Sequence, residues 1–162
     1  DVTMGLTFNF GYKGFDLGIT TNAVFGNQIA KSYRSFADQP KENYTTDILG
    51  RWHGEGTSNR LPRLASGTNT NWLYISDIFI EDGDYFRIQN ITLGYDFKRL
   101  FPRIPLGQAR LYVTAQNLAT FTKYSGMDPE IGYGADKSWV SGIDVGFYPS
   151  PRTYMVGVNL KF

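Results

Sequence analysis

Every second residue at the end of this chain belongs to one chemical class. In 152–162, "RTYMVGVNLKF", Tyr154, Val156, Val158, Leu160 and Phe162 alternate with Thr153, Met155, Gly157, Asn159 and Lys161. A period of two is the pattern of a strand with two unlike faces, and no helix satisfies it. The beginning repeats it: Val2, Met4, Leu6, Phe8 and Phe10 alternate with Thr3, Gly5, Thr7 and Asn9. "GYKG" (Gly11–Gly14) then offers a tight hairpin connection with glycines free to take positive φ. The return segment puts Phe15, Leu17 and Ile19 opposite Asp16, Gly18 and Thr20. Two further segments alternate. Ile91, Leu93, Tyr95 and Phe97 oppose Asn90, Thr92, Gly94 and Asp96, and Leu111, Val113 and Ala115 oppose Arg110, Tyr112, Thr114 and Gln116.

Five strands are therefore expected, at about 2–10, 15–25, 85–97, 109–118 and 152–162. Composition agrees with an all-β chain, with 18 Gly, 11 Tyr and 12 Phe in 162 residues. The segments between the strands alternate in length. Short turns are expected at about 11–14 and 98–108, the latter broken by Pro102 and Pro105. Long, aperiodic, polar loops are expected at about 26–83 and 119–150, with a short strand or turn inside "NWLYISDIFIED". Long loops of this kind are generally functional when they occur. All short connections then lie at one end of the sheet and all long ones at the other. Bacterial outer-membrane barrels show that asymmetry, with short periplasmic turns and long extracellular loops.

Hydropathy does not oppose a membrane reading. No run reaches the roughly 18 apolar residues of a membrane helix, and the mean hydropathy is −0.31. Barrel strands alternate, so their average hydropathy is unremarkable. Each alternating segment has about the 10 residues that a tilted strand needs to cross the hydrocarbon. Leu6, Phe8, Leu17, Ile19, Ile91, Leu93, Tyr95, Val113, Val156, Val158 and Leu160 are the expected lipid-facing side chains. Phe8, Phe10, Tyr12, Phe15, Tyr95, Phe97 and Phe162 gather at the short-turn end, as an interfacial aromatic girdle would. On the polar face Gly5, Gly18, Gly94 and Gly157 read either as points of close approach by another backbone in the lumen or as aids to sheet curvature. Five strands cannot close a barrel, and open edges are prohibitive in lipid. The sequence reads as the C-terminal piece of something larger, and the absence of a signal peptide fits a mature piece or fragment. A soluble five-stranded β-sandwich binding module competes with this reading. It must bury the apolar faces against each other and needs a separate reason for the loops.

Other chemistry is sparse. Net charge is +1, so nothing points to nucleic acid, and without cysteine there is no thiol site. His53 is the one histidine and reads as an exposed loop residue. Glu81, Asp82 and Asp84 surround Gly83 and raise a weak cation candidate, without the ligand spacing of an EF-hand loop. "DPE" (Asp128–Glu130) reads as a turn. No nucleophile triad, P-loop or GxGxxG is present, so neither an enzyme nor a cofactor is expected. Ligand contacts, or anchoring and lid contacts, are expected from Trp52, Trp72, Tyr74, Tyr133 and Trp139 in the long loops.

"DGDYFRIQNITLGYDF", "RLYVTAQNLATFTKYSGMDPE" and "GIDVGFYPSPRTYMVGVNLKF" occur in that order between Asp82 and Phe162. Together they resemble the C-terminal end of SusC/RagA-type TonB-linked (TonB-dependent) outer-membrane receptors of Bacteroidetes. The first eighty residues are compatible but carry no matching motif. The resemblance implies a transmembrane antiparallel β-barrel of about 22 strands, this chain supplying the last five, around a plug. It implies import of oligosaccharides or peptides, driven through TonB by way of an N-terminal part that this sequence lacks. The implied partners are the preceding strands and plug, a SusD-like surface lipoprotein acting as lid, and outer-membrane lipid. It also makes the terminal Phe162 resemble the signal read by the barrel-assembly machinery. A passive porin-like barrel segment would share every strand feature and lack the plug.

Overall fold

The computed structural model describes residues 1–33, 46–64, 76–131 and 142–162. Five long strands make one open sheet: β1 (Val2–Tyr12), β2 (Phe15–Phe25), β5 (Tyr85–Asp96), β6 (Gln108–Thr122) and β8 (Thr153–Lys161). They lie side by side in chain order, every neighbouring pair antiparallel. Three short strands, β3 (Gln28–Lys31), β4 (Ile80–Asp82) and β7 (Ile143–Asp144), form a second sheet in the order β4-β3-β7. The chain accordingly divides into two compact units, 1–27 with 83–123 and 149–162, and 28–82 with 124–148.

In the first unit the register converts sequence alternation into continuous rows. Phe8, Ile19, Ile91, Ala115 and Tyr154 are successive partners across the five strands. So are Phe10, Leu17, Leu93, Val113 and Val156, and so are Tyr12, Phe15, Tyr95, Leu111 and Val158. Cross-strand neighbours of this kind are the unit of sheet stabilisation. The Phe15 and Tyr95 rings sit 4.4 Å apart, and Tyr95 meets Phe97 edge-on at 5.2 Å. Yet the face is uncovered: Leu93 is 52% exposed, Val156 73% and Val158 60%. A sandwich requires this face to be buried by a second layer of the same strands. Here all five lie in one layer.

Apolar alternation in β5 shifts phase at Ile88–Ile91, and the structure shows why. The register with β2 passes from Ile88 directly to Asn90, leaving Gln89 as the extra residue of a bulge. Against β6 the same step skips Gln89 on one side and Asn117 and Leu118 on the other. Asn117 takes φ +51°, a left-handed conformation that asparagine tolerates. The bulge keeps Phe86 and Ile88 on the same face as Ile91 and Leu93, because a one-residue slip exchanges the faces. The β1–β2 turn is tighter than the motif Gly11–Gly14 suggests. Gly11 pairs with Asp16 inside the ladder, and Lys13 (φ +46°) and Gly14 (φ +92°) alone make the turn.

The polar face carries its own row: Gly11, Asp16, Gly94, Tyr112 and Gly157. Arg110 reaches across β5 at Gly94 and pairs bidentately with Asp16, Nε to Oδ1 at 2.8 Å and a second guanidinium nitrogen to Oδ2 at 2.5 Å. A Cβ on Gly94 would stand 2.5 Å from both partners. Arg110 also lies 4.9 Å from the centre of the Tyr112 ring. That ring covers Gly157, where a Cβ would overlap it. At these two glycines the chain's own side chains make the close approach. Gly5 and Gly18 are looser, with nearest contacts to Thr21 O at 4.0 Å and Asn9 Oδ1 at 3.3 Å. Gly157→Val should therefore cost roughly 1–3 kcal/mol, the usual scale of overpacking. In a thermal-unfolding double-mutant cycle, Tyr112→Ala should relieve at least half of that loss. Full additivity of the two substitutions would show that the ring does not sit over Gly157.

Candidate functional site

The segments expected as loops contain ordered chemistry. β3 pairs antiparallel with β4, from Gln28–Asp82 to Ala30–Ile80, and parallel with β7 through Ala30–Ile143 and Lys31–Asp144. Its Ile29 is fully buried. Ser76 caps the 3-10 turn Asp77–Phe79 that leads into β4, its hydroxyl accepting from the Ile78 amide. "NWLYISDIFIED" thus ends in a turn and a short strand, and its residues 71–75 lie outside the described residues.

The strand pairing buries a cation. Lys31, 3% exposed, donates from Nζ to Glu81 Oε1 at 3.1 Å and to the Ser125 hydroxyl at 2.5 Å. It also lies 5.5 Å from the Tyr124 ring centre and 5.9 Å from that of Tyr33. Ser125 gives its amide to Glu81 Oε2 and its hydroxyl to Oε1, both at 2.9 Å. Burial pushes the Glu81 carboxyl upward, but the Ser125 donors and Lys31 outweigh it and hold Glu81 below the usual carboxylate range. Nearby, Tyr124 donates its hydroxyl to Asp144 Oδ2 at 2.6 Å. Burial and then that bond raise the phenol well above its ordinary value, so Tyr124 stays a donor. Asp144 Oδ1 accepts from the amides of Gly146 and Phe147. Lys31 and Glu81 offset each other's charge across β3 and β4, while Asp144 in β7 is held by the Tyr124 phenol and two backbone amides.

Those bonds use the acidic residues of the cation candidate. Glu81 is held by Lys31 and Ser125, and Asp84 Oδ1 accepts from the amides of Gly26 and Asn27 at 2.6 and 3.2 Å. Among the described residues no three metal-binding side chains converge, around Asp82 or elsewhere. In the "DPE" turn the Asp128 carboxylate accepts from the Glu130 amide at 2.9 Å.

Of the aromatic ligand candidates, Trp52 lies in a described segment; Trp72, Tyr74, Tyr133 and Trp139 lie outside the described residues. Trp52 is 38% exposed and borders an open cavity of 420 Å³ with Arg51, His53, Arg63 and Leu64. Arg51 bridges to Leu61, and the Trp52 amide donates to Leu61 O at 2.9 Å. Thr57 accepts the His53 amide, and Ser58 accepts the amides of Arg60 and Leu61. On the polar face of the long-stranded sheet, a 270 Å³ groove is lined by residues including Asn9, Asp16, Thr20, Asn90, Thr92 and Arg110. Asn90 Oδ1 is buried there without a donor among the described residues. Elsewhere on this face Arg87, 3% exposed, donates to Thr120. The eleven expected lipid-facing residues all fall on the opposite, uncovered face. Nothing local in the sequence marked the Lys31 cluster, whose members come from four separated segments. For Asp16 and Arg110 a signal existed: both are charged at polar positions of alternating strands.

No family model matches the chain. Curated proteins do, over its full length. It is 35% identical to TonB-dependent receptor P3 of Formosa agariphila and 34% identical to TonB-dependent receptor SusC of Bacteroides thetaiotaomicron. It spans only 16% and 15% of their respective lengths. Among solved structures, the RagAB peptide importer in the open-open state superposes on 99% of the chain with TM-score 0.76 and 25% identity, using 17% of the matched importer chain.

Two outcomes follow for the buried cluster. Glu81 titrates lower folded than unfolded, so its stabilisation is complete above the ordinary range of about 4.3 and is lost as pH falls through the lowered value. The protection factor of the Ser125 amide, its exchange rate divided into the intrinsic rate at each pH, should fall on acidification. In Glu81→Gln it should be low already at neutral pH and flat through the same range. Lys31→Met should destabilise the small sheet by about 3 kcal/mol, read as lost protection in β3 and β4 with β5 and β6 unchanged.

Proposed function

The chain is homologous over its whole length to a segment of the TonB-dependent receptors of the SusC/RagA kind, and from that kinship we propose that it forms the C-terminal wall of an outer-membrane nutrient importer. Its five long strands are the last of a barrel of about 22 strands. The turn at 13–14 and the connection 97–107 face the periplasm, and the 28–82 and 124–148 segments belong to the extracellular side. The three apolar rows, with the eleven residues named above, face acyl chains, and the aromatics of the short-turn end mark the interface. Phe162, 93% exposed, serves barrel assembly.

One observation supports this most directly: an uninterrupted apolar face lies exposed on a sheet whose other face is polar and internally paired. Lipid is the solvent such a face suits, since barrel strands place apolar residues outward and polar ones in the lumen. The polar face then meets the plug and preceding strands, and the unfilled acceptor at Asn90 suits a donor from there. The cargo is an oligosaccharide or peptide, taken up with TonB and a SusD-like lipoprotein lid. The names of the relatives, a peptide importer among them, favour transport over enzymatic chemistry. Trp52, Trp72, Tyr74, Tyr133 and Trp139 are its proposed cargo or lid contacts.

Leu93→Lys and Val156→Lys should each cost about 2–4 kcal/mol if they face the mid-membrane. Folded receptor recovered from outer membranes should drop sharply, whereas Asn159→Lys on the polar face should be tolerated. Equal tolerance of all three would remove the lipid assignment. Uptake should stop when TonB is deleted or the proton gradient dissipated; uptake that persisted would identify a passive pore.

A further inference from the structure

The cavity beside Trp52 carries charge that the described chain does not neutralise. Arg51 and Arg63 both line it, and no carboxylate among the described residues lies within ion-pair distance of either guanidinium. Arg51 spends one nitrogen on Ile48 O at 3.2 Å, which fixes the side chain and leaves the rest of the fork available. His53 places Nδ1 3.0 Å from Arg51 O. A carbonyl only accepts, so Nδ1 holds the hydrogen and Nε2 remains for another partner. Trp52 adds a partly exposed indole. The Arg51–Leu61 bridge and the Thr57 and Ser58 bonds order the backbone that carries Arg51, Trp52 and His53 before anything binds.

We propose that Arg51, Arg63 and Trp52 form a subsite for an oxyanion, a carboxylate or sulfate, carried beside a flat or ring-shaped body. The guanidinium groups take the oxyanion through charge-assisted bonds, for which arginine geometry is suited, and the indole receives the adjoining face. Among the described residues the other lining groups add no competing acid: Leu64 is apolar and His53 bears no negative charge. The assignment deepens the importer reading and rests on it for the ligand being cargo. A sugar acid and a peptide carboxylate share this chemistry.

The test uses the full-length receptor that contains this chain, purified in detergent, with calorimetric titration. Two probe pairs are compared: a uronic-acid disaccharide against its neutral methyl ester, and an acidic dipeptide against its amide. The expected result is that an acidic member binds roughly tenfold or more tightly than its neutral partner, is displaced by inorganic sulfate, and loses that advantage in Arg63→Gln. The pair that shows the preference identifies the source of the oxyanion. Among the described residues Arg63 makes no hydrogen bond, and an unchanged thermal transition and circular dichroism spectrum of Arg63→Gln in detergent verify its folding; Arg51→Lys is the second variant. Absence of charge preference in both pairs, a preference that survives both substitutions, or no binding of either acidic probe at millimolar concentration overturns the subsite. TonB dependence of uptake is measured separately. An active importer without charge preference sinks this inference alone, and a charge-selective protein without energised uptake sinks the importer reading alone.

Discussion

A strand has two faces, and a slip of one residue exchanges them; the long-stranded sheet depends on never making that slip. Its three apolar rows run unbroken from β1 to β8 because the registers there bring apolar residues together. Where the sequence of β5 loses phase, Gln89 is set aside in a bulge and the neighbouring strand absorbs the step at Asn117 and Leu118. The irregularity preserves the pattern. A straight β5 would turn Phe86 and Ile88 to the polar side, or Ile91 and Leu93 in their place.

The two faces then obtain cohesion differently. On the apolar side the strands offer area, and the side chains stay uncovered. On the polar side a chain of specific contacts crosses the strands: Asp16 to Arg110 over Gly94, Arg110 to Tyr112, and Tyr112 over Gly157. Small residues alternate with large ones along that row, so glycine supplies room for a neighbour's side chain. Thr92 and Thr114 add a hydroxyl pair at 2.9 Å in the adjacent row.

What could be read beforehand follows from this physics. Alternation is local, so 2–10 and 15–25 announced strands that the structure places at Val2–Tyr12 and Phe15–Phe25. The end of β6 was less legible. Asn117 and Leu118 interrupt the pattern, and the strand continues to Thr122 beyond the expected 118. Of the small sheet only β4 was anticipated, as a short strand or turn; β3 and β7 were illegible because strands of two to four residues cannot display a period, and Ala30 meets Ile143 from a remote part of the chain. The glycines read as points of backbone approach or as aids to curvature, and at Gly94 and Gly157 the space is taken by Arg110 and Tyr112. Charge at Asp16 and Arg110 was visible, but their reach across a whole strand is a property of register. Trp52 stood out as an aromatic, whereas its pairing with Arg51 and Arg63 in one cavity required the bridge to Leu61.

The parallel seam between β3 and β7, closed by the Ala30 amide on Gly142 O at 2.8 Å, joins the two longest connections of the chain. Each is therefore the other's scaffold. Sequence drift on one side of the seam is filtered by what the other can accept, so the pair should diversify in concert during evolution. Swapping one connection alone between related proteins would break a shared fold, and the transferable module is both together.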